Sequence, residues 1–228
     1  MKSSEPLILY QDDDLIAVDK PSGMIVYPDG KHDYPALDAF LKEKFGELFF
    51  PHRIDRETSG VLVVARTERA FENLKKQFRR REVQKTYRAF LYGALTEERG
   101  SIDRPIGSAR GGLGPRSARK PYGRTRDAVT LWRRVLSSAQ GAVSYAEVFP
   151  KTGRTHQIRV HFASIGHPVV CDPLYAPGRA PLLGFERLAL HALSLTLKHP
   201  ISGEPVRFEA PLPPDFIAAE EKMQGQSF

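Results

Sequence analysis

HRIDRETSGVLVVAR, residues 52–66, sets one carboxylate, Asp55, between two arginines and then runs through a Thr-Ser-Gly turn into a valine-rich stretch. The unbroken apolar run VLVVA suits a strand covered on both faces, and such strands sit inside a sheet rather than at its edge. Asp55 then lies on a loop that feeds a central strand. An acid in that position either holds arginines in place or acts on something brought to it.

The flanking sequence supplies the elements around that strand. LILYQDDDLIAVDKPSG, residues 7–23, reads as two short strands joined by an acidic turn and stopped by Pro21-Ser22-Gly23. Leu37, Phe40, Leu41 and Phe45 recur at helical spacing, which predicts a short amphipathic helix over 36–45. Thr67 can cap a second helix, with Ala70, Phe71, Leu74 and Phe78 inward and Lys75, Lys76, Arg79 and Arg80 outward. VQKTYRAFLYGAL, residues 83–95, is β-rich and carries Tyr87.

Residues 107–126, GSARGGLGPRSARKPYGRTR, lack apolar periodicity and read as a flexible insertion rich in Arg and Gly. It falls between strands expected to pair. Strands are expected over 128–136 and 142–150. Thr155 can cap a helix with Ile158, Phe162 and Ile165 on one face, ending at Gly166-His167-Pro168. The remainder, including LALHALSLTLKHP and VRFEAP, reads as further strand pairs. No repeat and no interdomain linker is visible, so a single domain over 1–228 is expected.

The charge is uneven. There are 34 Lys and Arg against 27 Asp and Glu, a net +7, which favours a polyanionic partner. Nine of the basic residues lie between Arg66 and Arg88, with three acids, and eight between Arg99 and Arg126, with Asp103 alone. Cys171 is the one cysteine, so no internal disulfide can form, and a reducing compartment is expected. No signal-like leader or membrane-length apolar run is present, so a cytoplasmic protein is expected.

Several kinds of site are excluded. There is no Walker loop, the cluster at 111–114 does not follow a strand and open a helix, and no pair of histidines has the HExxH spacing. Neither a metal nor a dinucleotide is expected. His52, His156 and His161 have no serine or cysteine in a nucleophile elbow to activate, and are given no catalytic role.

HRIDRETSG before a strand, KTY after a basic helix, and KTGRTHQIRVH at 151–161 together resemble the three active-site motifs of the RluA-type pseudouridine synthases. The opening strand pair and the closing stretch LALHALSLTLKHPISGEPVRFEAPLP resemble the two ends of that catalytic domain. Ile54 stands where the family often has Leu. The resemblance implies a short member without the family's S4 RNA-binding domain. It also implies an α+β fold, with a mixed, mainly antiparallel central sheet flanked by helices and loops.

The implied reaction converts a uridine in structured RNA, ribosomal or transfer, into pseudouridine, with no cofactor because the isomerisation consumes nothing. Asp55 would be the catalytic aspartate, acting as nucleophile or base. Tyr87 would stack on the uracil and take the C5 proton, and Arg154 would partner the aspartate. Arg53 would help hold the flipped base out of the stack, and Ile158 would line its pocket, with Lys85 and Arg159 among the RNA contacts. The helix face of Lys75, Lys76, Arg79, Arg80 and Arg81 is expected on the RNA backbone, as is the insertion. RNA is the expected partner, with no membrane and no obligate protein partner, and a monomer is expected. The competing class is an RNA-binding or RNA-folding module that keeps the fold without the chemistry.

Overall fold

The computed structural model describes residues 5–28, 30, 32–109, 116–138 and 141–225. In chain order it begins with β1 (Leu7–Gln11), β2 (Leu15–Lys20), α1 (Leu37–Phe45), β3 (Ser59–Ala65) and α2 (Glu68–Arg80). Next come β4 (Gln84–Tyr92), β5 (Arg99–Asp103), β6 (Ile106–Ser108), β7 (Arg116–Ser117) and β8 (Tyr122–Arg126). The chain closes with β9 (Val129–Ser137), β10 (Val143–Pro150), α3 (Gln157–Ser164), β11 (Leu190–Lys198), β12 (Pro205–Glu209) and α4 (Pro214–Gly225). The class is α+β, with strands paired almost wholly antiparallel, as expected from the sequence. The chain divides into two compact units, Met1–Lys85 with His191–Pro211, and Thr86–Leu190 with Leu212–Phe228. The sequence shows no linker because the divisions at Lys85 and Leu190 fall within strands.

The first unit is ordered β1-β2-β3-β11-β12. Its hairpin turn is closed by Asp12, whose carboxylate accepts the amides of Asp14 and Leu15 at 2.8 Å each. Burial alone would raise the Asp12 pKa, yet bonds from the Tyr10 hydroxyl, those two amides and His199 hold it down at about 2. Every residue of β3 is buried, which explains its unbroken apolar sequence. β3 is antiparallel to β2 and parallel to β11 over only two pairs, His191 with Ser59 and Ala192 with Gly60. At that crossing Gly60 has φ +111°, and a Cβ there would lie 2.2 Å from the Ala192 carbonyl oxygen. Only glycine lets the two backbones approach so closely.

On this sheet lies α2, whose first turn is capped by the Thr67 hydroxyl accepting the Ala70 amide at 3.2 Å. Ala70 and Leu74 are buried, and Phe71 and Phe78 pack against Val61, Val63, Leu195 and Phe208. Each fully buried side chain of this size contributes about 1.5–3 kcal/mol, so the apolar stripe suffices to hold a helix with a basic outer face.

In the second unit the strands are ordered β4-β10-β9-β5, all antiparallel. The expected pairing across the insertion is present, since β5 pairs with β9. An aromatic cluster centres its core: Phe90 stacks on Tyr145 with centroids 4.3 Å apart, and Phe185 meets Phe216 edge-on at 5.3 Å. Phe216 comes from α4, a helix that the sequence reading left among strand pairs. Phe216, Ala219 and Met223, all buried, are the periodic signal for it.

Two further expectations are corrected. Thr155 does not cap α3. The N-cap is His156, in the left-handed region at φ 56°, and the Gln157 carboxamide oxygen reaches back to accept the Arg154 amide at 3.0 Å. Where composition suggested a flexible insertion, the described residues form a small sheet with β6 between β7 and β8. Ile106, Ala118 and Ala128 bury a core of their own against Val160 of α3. Residues 110–115 of that stretch lie outside the described residues.

Candidate active site and RNA interface

The Asp55 loop is fixed from below by the end of β2. Lys20 is fully buried, and its ammonium donates to the carbonyls of Pro21, Met24 and Arg56 at 2.9, 2.8 and 3.1 Å. Gly23 donates its amide to the same Arg56 carbonyl at 2.8 Å, and the Ser22 hydroxyl donates to the Glu57 carbonyl at 2.6 Å. The Asp55 carbonyl accepts the Thr58 amide at 3.2 Å, closing the turn. Three bonds from residues 20–23, together with this turn, thus hold the two residues after Asp55 in one conformation.

The side chains of that loop divide by role. Arg56 is turned to Glu57, at 2.6 Å, and its guanidinium lies 4.1 Å over the Tyr34 ring. Arg53 is exposed, Asp55 half-buried and Ile54 buried. His52 stacks on Phe78 at 4.4 Å, and its Nε2 accepts the Val63 amide at 3.0 Å. Burial first, and then the charge of Lys85, pulls its pKa down to about 3. The ring is therefore neutral at physiological pH and serves as an anchor for the loop, with no acid-base role. Lys20 and Ser22 were missed as positioning residues because KPSG reads simply as the end of a strand.

Helix α2 presents Lys75, Lys76, Arg79 and Arg80 to solvent, as its periodicity predicts. Lys75 is paired with Glu72 at 2.9 Å, and Arg80 lies 3.9 Å from Glu82. Arg81 is exposed and closes the helix in the left-handed conformation at φ 61°.

In the second unit Tyr87 is half-buried on β4, opposite Val148 of β10, and packs on the aromatic core cluster, to which Ile158 also belongs. Arg154, at the turn before α3, donates its Nε to the Asp127 carbonyl at 3.0 Å. Arg159 corrects an expectation: it is 1% exposed, its Nε and one terminal nitrogen each donate to the Asp172 carboxylate at 2.8 Å, and it lies over the Tyr175 ring. Its guanidinium is an internal strut and does not reach RNA. His161 is likewise internal, bonded to the Thr130 hydroxyl at 2.8 Å and to the Arg104 carbonyl at 3.0 Å.

An open cleft of about 250 Å3 lies between the β6–β8 sheet and the turn before α3, with Gly107, Arg116, Arg124, Arg126 and Arg154 in its walls. The sequence reading singled out the Arg-rich stretch and Arg154 but not the cleft they share, because β8 is exposed on both faces and shows no alternation. No helix among the described residues is long and apolar enough to cross a membrane.

Residues 14–164 match the family model described as RNA pseudouridylate synthase. The chain is 40% identical over 227 residues to a ribosomal large subunit pseudouridine synthase D of Xanthomonas campestris, covering 91% of this chain and 66% of that protein. It is 36% identical to a dual-specificity RNA pseudouridine synthase RluA of Pasteurella multocida, covering 90% of this chain and 92% of that one. Among solved structures it resembles human RNA pseudouridylate synthase domain containing 1, with a TM-score of 0.78 and 30% identity over 93% of this chain and 86% of that chain.

Proposed function

Because the chain belongs to the RNA pseudouridylate synthase family, we propose that it isomerises a uridine in structured ribosomal or transfer RNA, with Asp55 as the catalytic aspartate. The observation that supports this most is the loop itself. A single carboxylate follows an exposed arginine on a turn whose backbone is tied down by Lys20, Gly23 and Ser22. Such preorganisation serves a group that must meet a substrate atom at fixed distance, and it is superfluous for a surface ion pair.

In the proposed reaction the target base is turned out of the RNA stack, at a cost of a few kcal/mol that backbone contacts and stacking in the pocket offset. The ionised Asp55 acts on the nucleotide as nucleophile or base, and the bond from C1′ to N1 breaks. The uracil turns and is rejoined to C1′ through C5. The C5 proton then leaves to a base, for which Tyr87 is the proposed acceptor, and N1, freed from C1′, takes up a proton, so that the product has the composition of the substrate. Arg154 is the proposed partner of the Asp55 charge, Arg53 the side chain that supports the flipped conformation, and Ile158 part of the pocket wall. No cofactor enters this chemistry. The two units act together as one catalytic domain in this reading.

The test is a map of pseudouridines in ribosomal and transfer RNA prepared without them and incubated with the purified protein. One or a few new pseudouridines at defined positions are expected. RNA left unmodified under conditions where it is bound would favour the module that binds without chemistry.

A further inference from the structure

In the second unit some arginines are matched by acids, whereas four that no acid matches line one cleft. Arg88 and Arg133 share Glu147, Arg159 pairs with Asp172, and Arg187 with Asp215. Among the described residues Arg116, Arg124, Arg126 and Arg154 take part in no ion pair, and the sequence from Arg104 to Arg126 contains no acid at all. Four guanidiniums around one cleft repel each other unless an anion lies between them, and their planar forks match phosphate oxygens two at a time.

The walls of the cleft are built rather than loose. The Arg116 amide donates to the Tyr175 hydroxyl at 2.9 Å, which meets His156 Nδ1 at 3.0 Å at the start of α3. The Arg116 guanidinium reaches the Ser108 hydroxyl at 3.3 Å, and Arg154 is held by the Asp127 carbonyl. A Cβ on Gly107 would lie 2.9 Å from the Pro121 side chain, so the small sheet closes only with glycine there.

We propose that this cleft is a phosphodiester-binding site that grips a stretch of RNA backbone, with Arg124 and Arg126 as its main contacts and Arg154 shared between this grip and the proposed chemistry. RNA as the source of the phosphate rests on the pseudouridine synthase reading. The site deepens that reading by assigning the backbone contact to β8 and the turn before α3, and not to α2, whose charges are partly met by their own acids.

The experiment is binding of unfractionated tRNA across a KCl series. It compares the wild type, Arg124→Ala/Arg126→Ala, Arg124→Lys/Arg126→Lys, and a control of equal charge change at two exposed arginines elsewhere, Arg99→Ala/Arg179→Ala. The alanine pair is expected to weaken binding roughly tenfold and to lower the slope of log affinity against log salt by about 1–2. The lysine pair is expected to keep the slope, and the control to stay within about twofold of wild type. The alanine pair matching the control would overturn the proposal. So would inorganic phosphate alone binding the wild type at micromolar concentration, if the alanine pair lost that binding and kept its tRNA affinity, since the site would then serve a small free anion. Pseudouridine formation by the wild type is scored separately, so a protein without that activity sinks the functional reading and leaves the tRNA comparison readable.

Discussion

The Asp55 loop and the arginine cleft hold charge in opposite ways. Around Asp55 a buried ammonium and two neighbouring groups satisfy backbone carbonyls, so one acid is presented on a nearly immobile turn. In the cleft the backbone is tethered, but exposed guanidiniums stand at the ends of long side chains. Chemistry at one carbon atom needs the first arrangement, because an error of an ångström there is costly. Gripping a polymer of variable conformation is served by the second, since each contact is worth little alone and adapts. The contrast implies that mutations should separate cleanly into those that impair the reaction and those that impair binding.

The largest effect is expected at the crossing that supports the loop. Gly60→Ala would drive a methyl group into the Ala192 carbonyl and force a strained φ, costing more than about 3 kcal/mol and unfolding the first unit near physiological temperature. Melting curves followed by circular dichroism would show this, and a variant melting within a few degrees of wild type would mean the strands separate easily. A smaller effect is expected from Lys20→Met, which removes a donor from three carbonyls, of which that of Arg56 keeps the Gly23 amide, while relieving the burial of a charge. A net loss of about 2 kcal/mol is expected. Turnover should fall about tenfold while tRNA affinity is unchanged, because the loop loses its brace and the cleft does not.

The smallest effect sharpens the comparison from the other side. Lys76→Ala/Arg79→Ala on α2 should weaken tRNA binding less than about threefold, in line with the modest worth of solvated surface charges. A loss as large as that expected for the cleft pair would put α2 back on the RNA. It would then return the helix to the role its sequence suggested.

How much of this was legible depended on periodicity. The hairpin, α1, β3, α2, β4 and the β11–β12 pair follow from apolar spacing and a Thr cap, and the motifs around Asp55, Tyr87 and Arg154 carried the family. What periodicity could not show was decided by partners distant in sequence. In α3 all but one residue is buried, so the helix has no polar face to reveal that Arg159 points inward at Asp172. The β6–β8 strands are too short and too exposed to alternate, and their small core borrows Val160 from α3. The Thr155 cap failed because the helix begins one residue later, with His156 at the N-cap position in the left-handed conformation.

The central claim is that Asp55 performs the reaction and does not merely shape the loop. The isosteric change Asp55→Asn removes the charge and keeps the size. Single-turnover assays with RNA tritiated at C5 of uridine would follow release of the C5 proton. The account predicts at least a 1,000-fold loss of release, on the order of 4 kcal/mol in the barrier, with tRNA affinity and melting temperature close to wild type. Release within tenfold of the wild-type rate would contradict it.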